Sequence, residues 1–186
     1  MADFFALASR PVLALAPLGT PGAPLRLEAR PEGRLIQALA TGKNVEIAGR
    51  LAAIAGDAPF AVRSYAPGQW FLVGDTPLAP GDLARLAEQV AGQAALSDQS
   101  HGRVRLSVEG PAARQLLAKG TGVDLGEAVF PVGRSAPTLY GHIGIHLTRT
   151  APERYELIVL RSFAVDLWEQ LAKGGAPFLE NRSGAV

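Results

Sequence analysis

The segment ERYELIVLRSFAVDLWEQLAKGG, residues 153–175, and the segment GQWFLVGDTPLAPGDLARLAEQVAG, residues 68–92, present the same features in the same order. In each segment an aromatic residue leads into an apolar strand, a short connection follows, and the next helix carries D-L-x-x-L-A or D-L-W-x-x-L-A. This repetition of a strand and a helix predicts two related halves, about residues 10–95 and 96–175, within a single domain.

Residues 103–120 contain further strand and helix signals. Residues 103–108, RVRLSV, alternate apolar and polar side chains, which predicts a strand with one buried face. The apolar positions of this strand are Val104, Leu106 and Val108. Gly110 and Pro111 are typical of the start of a helix, and Gly120 is typical of its end.

The remaining segments complete the predicted order of elements. Residues 138–148 and 155–160 read as two strands joined by a polar turn. In the first half, residues 31–42 resemble a helix with a proline near its start and a glycine past its end, and strands are predicted at 45–47 and 69–73. Strands interleaved with helices through hairpin-like joins predict an α+β fold of two pseudo-repeated βαββα-like halves with largely antiparallel sheets.

The composition excludes several classes of function. The 18 basic and 17 acidic residues form no Lys/Arg run, so nothing indicates binding to nucleic acid or to an anionic membrane. The chain has no cysteine, no export signal at its amino terminus and no stretch of 18 apolar residues, which together favour a cytoplasmic location. Charged residues make up only 19%, against roughly 25% in typical soluble domains, so some apolar surface is expected to meet a partner.

No catalytic or metal site is predicted. Asp98, Ser100 and His101 are the residue types of a hydrolase triad, but a triad is defined by convergence in space, and the chain lacks a G-x-S-x-G elbow. His142 and His146 are predicted to lie on a strand, where four residues span about 13 Å, so they cannot share a metal ion. A hydrolase that uses Ser100 remains a distant alternative.

Four residues are candidates for contact with another subunit. His101 and Arg103 precede a strand, where a polar cluster suits a contact surface better than a reaction site. Arg161 stands at a helix start, where the helix dipole disfavours a cation, so it is expected to pair with a carboxylate of this chain or of another. Trp168 is expected either to pack in the core or to anchor an interface.

An ordered series of short motifs over about residues 65–175 resembles the gamma subunit of heterotetrameric sarcosine oxidases. The motifs are Ser100-His101-Gly102-Arg103, Gly110-Pro111-Ala112-Ala113, Leu117-Ala118-Lys119-Gly120 followed by Val123-Asp124-Leu125, Phe130-Pro131-x-Gly133, and Arg161-Ser162-Phe163-Ala164 with Trp168.

The resemblance implies a fold like the amino-terminal region of folate-binding aminomethyltransferases. It also implies a noncatalytic small subunit of a complex that oxidatively demethylates sarcosine to glycine, forming hydrogen peroxide and methylenetetrahydrofolate. The implied partners are the alpha, beta and delta subunits. By the same resemblance the larger subunits hold FAD, FMN, NAD and tetrahydrofolate, and this chain holds no cofactor.

The alternative function is a self-standing folate-binding or aminomethyltransferase-like one-carbon protein. Recognition of a pterin ring needs a buried carboxylate toward its N–H groups and an apolar or aromatic wall. Asp98 or Asp124 with Trp70 are the residues of this chain that could supply them.

Overall fold

The computed structural model describes residues 10–41, 47–56, 58–59 and 61–179, which form nine strands and four helices. The strands are β1 (Arg26–Ala29), β2 (Leu35–Ala40), β3 (Val62–Ala66), β4 (Gln69–Val73), β5 (Ala94–Asp98), β6 (Arg103–Glu109), β7 (Ser135–Tyr140), β8 (Ile143–Ala151) and β9 (Arg154–Leu160). The helices are α1 (Ala48–Ala55), α2 (Asp82–Gln89), α3 (Ala113–Ala118) and α4 (Ala164–Leu179), the last preceded by a 3₁₀ turn at Arg161–Phe163.

The strands form two antiparallel sheets whose internal order is the same. The four-stranded sheet has the order β3-β4-β2-β5, and the five-stranded sheet has the order β7-β8-β9-β6-β1. The run β8-β9-β6-β1 therefore corresponds to β3-β4-β2-β5, with β7 added at one edge. Strands β4 and β9, from the two segments that opened the sequence analysis, occupy equivalent interior positions, and the predicted α+β fold with antiparallel sheets is confirmed.

The two halves are interleaved. Strand β1 comes early in the chain but pairs with β6, with Arg26 opposite Glu109 and Ala29 opposite Leu106. The turn between β5 and β6 then carries the chain from the four-stranded to the five-stranded sheet. The five-stranded sheet thus contains β1, a strand from the first half of the chain. The four-stranded sheet ends with β5, which lies at the sequence boundary between the halves.

The elements pack in four layers, with the helices outside and the two sheets facing each other. Helices α3 and α4 cover the outer face of the five-stranded sheet and enclose the largest apolar cluster. Helices α1 and α2 cover the outer face of the four-stranded sheet. Between the sheets a small apolar cluster contains Leu35, Phe71, Val73 and Ile158.

The predicted helix at residues 31–42 is wrong, since this segment contains strand β2. Its sequence LIQALA consists of good helix formers, but tertiary pairing overrides this weak preference because β2 pairs with both β4 and β5. Of the predicted strand at 45–47, residues 45 and 46 lie outside the described residues, and Ile47 directly precedes helix α1. The sequence analysis did not predict α1.

Two strand predictions need correction as well. Strand β6 is buried on both faces, because Arg105 and Ser107 face the opposite sheet while Val104 and Leu106 face the helices. The predicted strand at 138–148 is a hairpin of β7 and β8, and it turns at Gly141, whose φ of 59° suits a tight two-residue turn.

Candidate functional site

The turn between β5 and β6 holds Ser100 in a structural role. The Ser100 hydroxyl donates a hydrogen bond to Asp98 Oδ1 at 2.5 Å and accepts one from the backbone N–H of Leu35 at 3.0 Å. The neighbouring His101 is exposed to solvent. Ser100 and Asp98 therefore fix a turn that crosses between the sheets, and with His101 they do not form the relay of a hydrolase.

Arg103, at the start of β6, packs against the space between the sheets. Its guanidinium carbon lies 5.0 Å from the centroid of the Phe71 ring, in the geometry of a cation–π contact. The side chain is half-buried, and burial lowers the pKa of Arg103 from its ordinary value. Arg103 therefore helps to hold the two sheets together, and its contact with another subunit stays a prediction.

Arg161 pairs with a carboxylate of its own chain. One of its guanidinium nitrogens lies 2.8 Å from Glu32 Oε1, and another donates to the carbonyl of Arg10 at 2.7 Å. Its backbone N–H donates to the carbonyl of Gly102 at 2.9 Å, so Arg161 lies beside the turn that carries His101. The expected carboxylate partner is thus an intramolecular one.

Trp168 lies in the apolar cluster between the five-stranded sheet and its helices, with 6% of its surface exposed. This position favours the core-packing alternative over an interface anchor.

Exposed apolar residues lie close to Arg161 in the chain. Leu160, Phe163 and Val165 are 43%, 41% and 43% exposed, and they follow one another from the end of β9 into the start of α4. With His101 and Arg161 they make up a group that we call the docking surface, and its contact with another subunit is a prediction. Apolar side chains next to an arginine are typical of the centre of a protein–protein contact.

The residues considered for a pterin site are not brought together. Trp70 is buried between the four-stranded sheet and its helices. Asp98 and Asp124 are both exposed, so neither supplies the buried carboxylate that a pterin would need beside that ring.

A cleft of about 530 Å³ opens between the two sheets, and half of the residues that line it are charged. Five arginines and two carboxylates face it, an excess of three positive charges. We call it the arginine cleft, and its charged residues are Arg30, Arg34, Arg63, Arg105, Arg154, Asp75 and Glu156.

The inner end of the arginine cleft is a buried ion-pair network. Glu156 on β9 lies 2.6 Å from a guanidinium nitrogen of Arg63 on β3 and 3.7 Å from one of Arg105 on β6. Because Arg63 belongs to the four-stranded sheet and Glu156 to the five-stranded sheet, the pair joins the sheets. Towards the opening, Arg105 also binds Asp75, and this hydrogen bond is the main cause that lowers the pKa of Asp75.

Strand register explains how this network forms. Ser107 lies opposite Glu156, and Arg105 lies opposite Ile158, so the alternating polar positions of β6 and β9 point to the same face. From the sequence alone these polar side chains are expected to face solvent, because no local signal shows that a second sheet covers them. The sequence analysis therefore missed the cleft.

His146 on β8 is buried between the sheets, with 1% of its surface exposed. Its Nε2 lies 2.8 Å from the carbonyl oxygen of Ser64, and its ring contacts the rings of Tyr65 and Phe71. His142, by contrast, is exposed in the hairpin turn, so the two histidines lie in different surroundings. Among the described residues no group of three or more side chains is arranged to hold a metal ion.

Stability is expected to decrease in acid because of His146. The pKa of His146 is lowered from 6.5 to about 4, mainly by burial; the nearby Arg63 and Arg103 contribute to the lowering, and Ser64 and Glu156 oppose it. Between these two values the unfolded chain binds a proton that the folded chain does not, so the free energy of unfolding falls by about 3 kcal/mol as the pH drops from 6.5 to 4. Urea denaturation across this range measures the effect.

The matched variants for this prediction are His146→Gln and His142→Gln. His146→Gln removes the titrating group and should flatten the pH dependence, whereas His142→Gln changes an exposed ring and should leave it as in the wild type. The prediction fails if the two variants keep equal slopes.

The chain is therefore an α+β protein in which two interleaved halves place their antiparallel sheets face to face. The family model described as the GCVT N-terminal domain matches residues 58–184. The chain belongs to the GCVT N-terminal domain family.

Solved structures give the same result for the fold. A chain of the heterotetrameric sarcosine oxidase from Corynebacterium sp. U-96, solved in complex with pyrrole 2-carboxylate, is similar with a TM-score of 0.73 and 22% identity; the match covers 86% of this chain and 88% of that chain. The glycine cleavage system aminomethyltransferase T from Bartonella henselae is similar with a TM-score of 0.60 and 20% identity, over 81% of this chain. This chain spans less than half of that aminomethyltransferase, 46% of its length. No curated protein matches the sequence significantly.

No helix among the described residues combines the length and the apolar character needed to cross a bilayer.

Proposed function

We propose that this chain is the noncatalytic, gamma-type small subunit of a heterotetrameric sarcosine oxidase. In this role it supports assembly of the complex that oxidatively demethylates sarcosine, and its partners are the alpha, beta and delta subunits. The observation that carries the proposal is the similarity to a chain of a heterotetrameric sarcosine oxidase over 88% of that chain. The flavins, NAD and tetrahydrofolate belong to the larger subunits in this proposal.

The docking surface supports this role. Leu160, Phe163 and Val165 expose apolar area close to Arg161 in the chain. Burial of this area against a partner would stabilise the complex. Arg161 is held in place by Glu32 and by the carbonyl of Arg10, so it loses little conformational freedom when a partner binds.

Expression of the larger subunits with and without this chain tests the role. The complete assembly should oxidise sarcosine and release hydrogen peroxide, and the isolated chain should not. The proposal fails if the isolated chain oxidises sarcosine, or if the larger subunits reach full activity without it.

Phe163→Asp is expected to weaken binding to the larger subunits at least tenfold. The change places a charge in the middle of the docking surface, where truncation of a central residue typically costs about 2 kcal/mol or more. Co-purification and biolayer interferometry against the larger subunits measure the effect.

Val129→Asp is the matched control for this variant. Val129 is also an exposed apolar residue, but it lies in the loop between α3 and β7, away from the docking surface. It should leave binding unchanged, and equal loss of binding in both variants would contradict the assignment of the surface.

The family match also supports the second candidate, a self-standing folate-binding or aminomethyltransferase-like protein. This function predicts saturable heat when tetrahydrofolate is titrated into the isolated chain by calorimetry. Absence of heat at high protein concentration would remove it.

A further inference from the structure

We propose that the arginine cleft binds a small anion that carries two or more carboxylate or phosphate groups. The proposal rests on the charges that line the cleft, on where their partners lie, and on its size.

The two carboxylates of the cleft are already engaged by three of its arginines. Asp75 binds Arg105 and lies 2.7 Å from a guanidinium nitrogen of Arg30. Glu156 lies between Arg63 and Arg105. These two acids balance two of the three positive charges of Arg30, Arg63 and Arg105, so one positive charge remains there and the other two arginines carry the rest of the excess.

The two other arginines have their partners outside this network. Arg34 donates to the backbone carbonyl of Ala55, which carries no net charge, and among the described residues it forms no ion pair. Arg154 lies 2.6 Å from Glu109, a carboxylate that lines the neighbouring depression and not the cleft. Arg34 thus presents a positive charge that no ion pair among the described residues balances, and the carboxylate that pairs with Arg154 lies outside the cleft lining.

The positions of these two arginines favour a ligand with more than one anionic group. Arg34 immediately precedes β2 in the four-stranded sheet, and Arg154 begins β9 in the five-stranded sheet. Both residues line the cleft, one from each sheet layer. A molecule with separated oxyanion groups can contact both, and the planar fork of arginine suits carboxylate and phosphate oxygens.

Arg34 is held ready for such a ligand. Its backbone N–H donates to the carbonyl of Thr76 at 3.1 Å, and its own carbonyl accepts from the N–H of Gly74 at 3.0 Å. The side chain lies so close over Gly74 that a Cβ there would be 2.9 Å from Arg34 Nε. A side chain that is fixed in advance costs less entropy on binding than a free one.

The size of the cleft indicates a small molecule. Its volume of about 530 Å³ lies within the range of roughly 300–1,000 Å³ that is usual for small-molecule sites. The cleft is recessed between the sheets, and the hydroxyl-bearing Ser107 and Thr150 also line it.

Calorimetry on the purified full-length chain tests the proposal, with citrate and pyrophosphate as separate probes at constant ionic strength set by chloride. Saturable binding of one anion per chain is expected, with an affinity that falls as salt is added. Stronger binding of citrate would indicate a polycarboxylate ligand, and stronger binding of pyrophosphate would indicate a ligand with two or more phosphate groups.

Arg34→Gln and Arg154→Gln should each weaken the preferred anion at least tenfold. Arg50→Gln is the matched control, because it removes the same charge from an exposed position on α1 that does not line the cleft. Circular dichroism and thermal melting establish that each variant is folded.

Two results would overturn the proposal: no saturable heat with either probe, or equal weakening by Arg34→Gln and Arg50→Gln. The experiment needs no other subunit, so its outcome is independent of the proposed role in assembly.

Discussion

Glu156→Gln is expected to lower the free energy of unfolding by about 3–5 kcal/mol, because it removes one partner of a buried ion pair. Glu156 lies between the guanidinium groups of Arg63 and Arg105, and all three residues are buried where the two sheets face each other. Loss of the carboxylate leaves an excess of positive charge in a region with little water to screen it. Urea denaturation at pH 7 measures the change.

Glu109→Gln provides the control on the neighbouring strand. Glu109 lies 2.6 Å from a guanidinium nitrogen of Arg154, but this pair is exposed, and such pairs contribute about 0–1 kcal/mol. A small loss of stability in Glu109→Gln with a large one in Glu156→Gln is the expected pattern. If the two variants lose the same amount, the buried network does not stabilise the contact between the sheets.

Gly110→Ala is expected to destabilise the fold by at least about 3 kcal/mol, since two separate penalties combine at this position. Gly110 has a φ of 113°, which L-residues rarely adopt. A Cβ on Gly110 would also lie 2.5 Å from the backbone carbonyl oxygen of Pro24, which accepts a hydrogen bond from Ala112. Relief of this overlap would require movement of the chain that leads into β1, and thermal or urea denaturation detects the loss.

Gly92→Ala separates the two penalties. Gly92 also has a positive φ, 73°, but a Cβ there would meet nothing within 4 Å. It should therefore cost only the backbone strain, about 1 kcal/mol. An equal effect of both alanine variants would mean that the contact with Pro24 is unimportant.

The sequence predicts the elements whose signals are local. Strand β4 with helix α2, and strand β9 with helix α4, follow from aromatic-apolar strands and amphipathic helices, and both pairs are confirmed. Strand β2 was predicted as a helix because its partners β4 and β5 follow it by about 30 residues or more, and no short window contains them. Helix α1 was not predicted, although four of its eight residues are alanine, the strongest helix former.

The contacts of the site residues could likewise be predicted only in part. The position of Arg161 at a helix start predicts that it needs a carboxylate, but Glu32 lies 129 positions away and cannot be selected from the sequence. The pairing of Arg63 with Glu156 spans 93 positions and depends on two sheets coming face to face. Ion pairs that join the two sheets can therefore be identified only in the folded chain.

The pairing of β1 with β6 has a consequence for synthesis on the ribosome. Strand β1 is made first, but its partner follows about 75 residues later, which corresponds to roughly 4–15 s at the usual rates of elongation. During that interval β1 lacks its neighbouring strand and has, among the described residues made before it, only the bridge from Leu27 to Leu18, a state prone to association with other chains. Slow codons between these two strands should therefore lower the yield of native protein more than slow codons placed after β9.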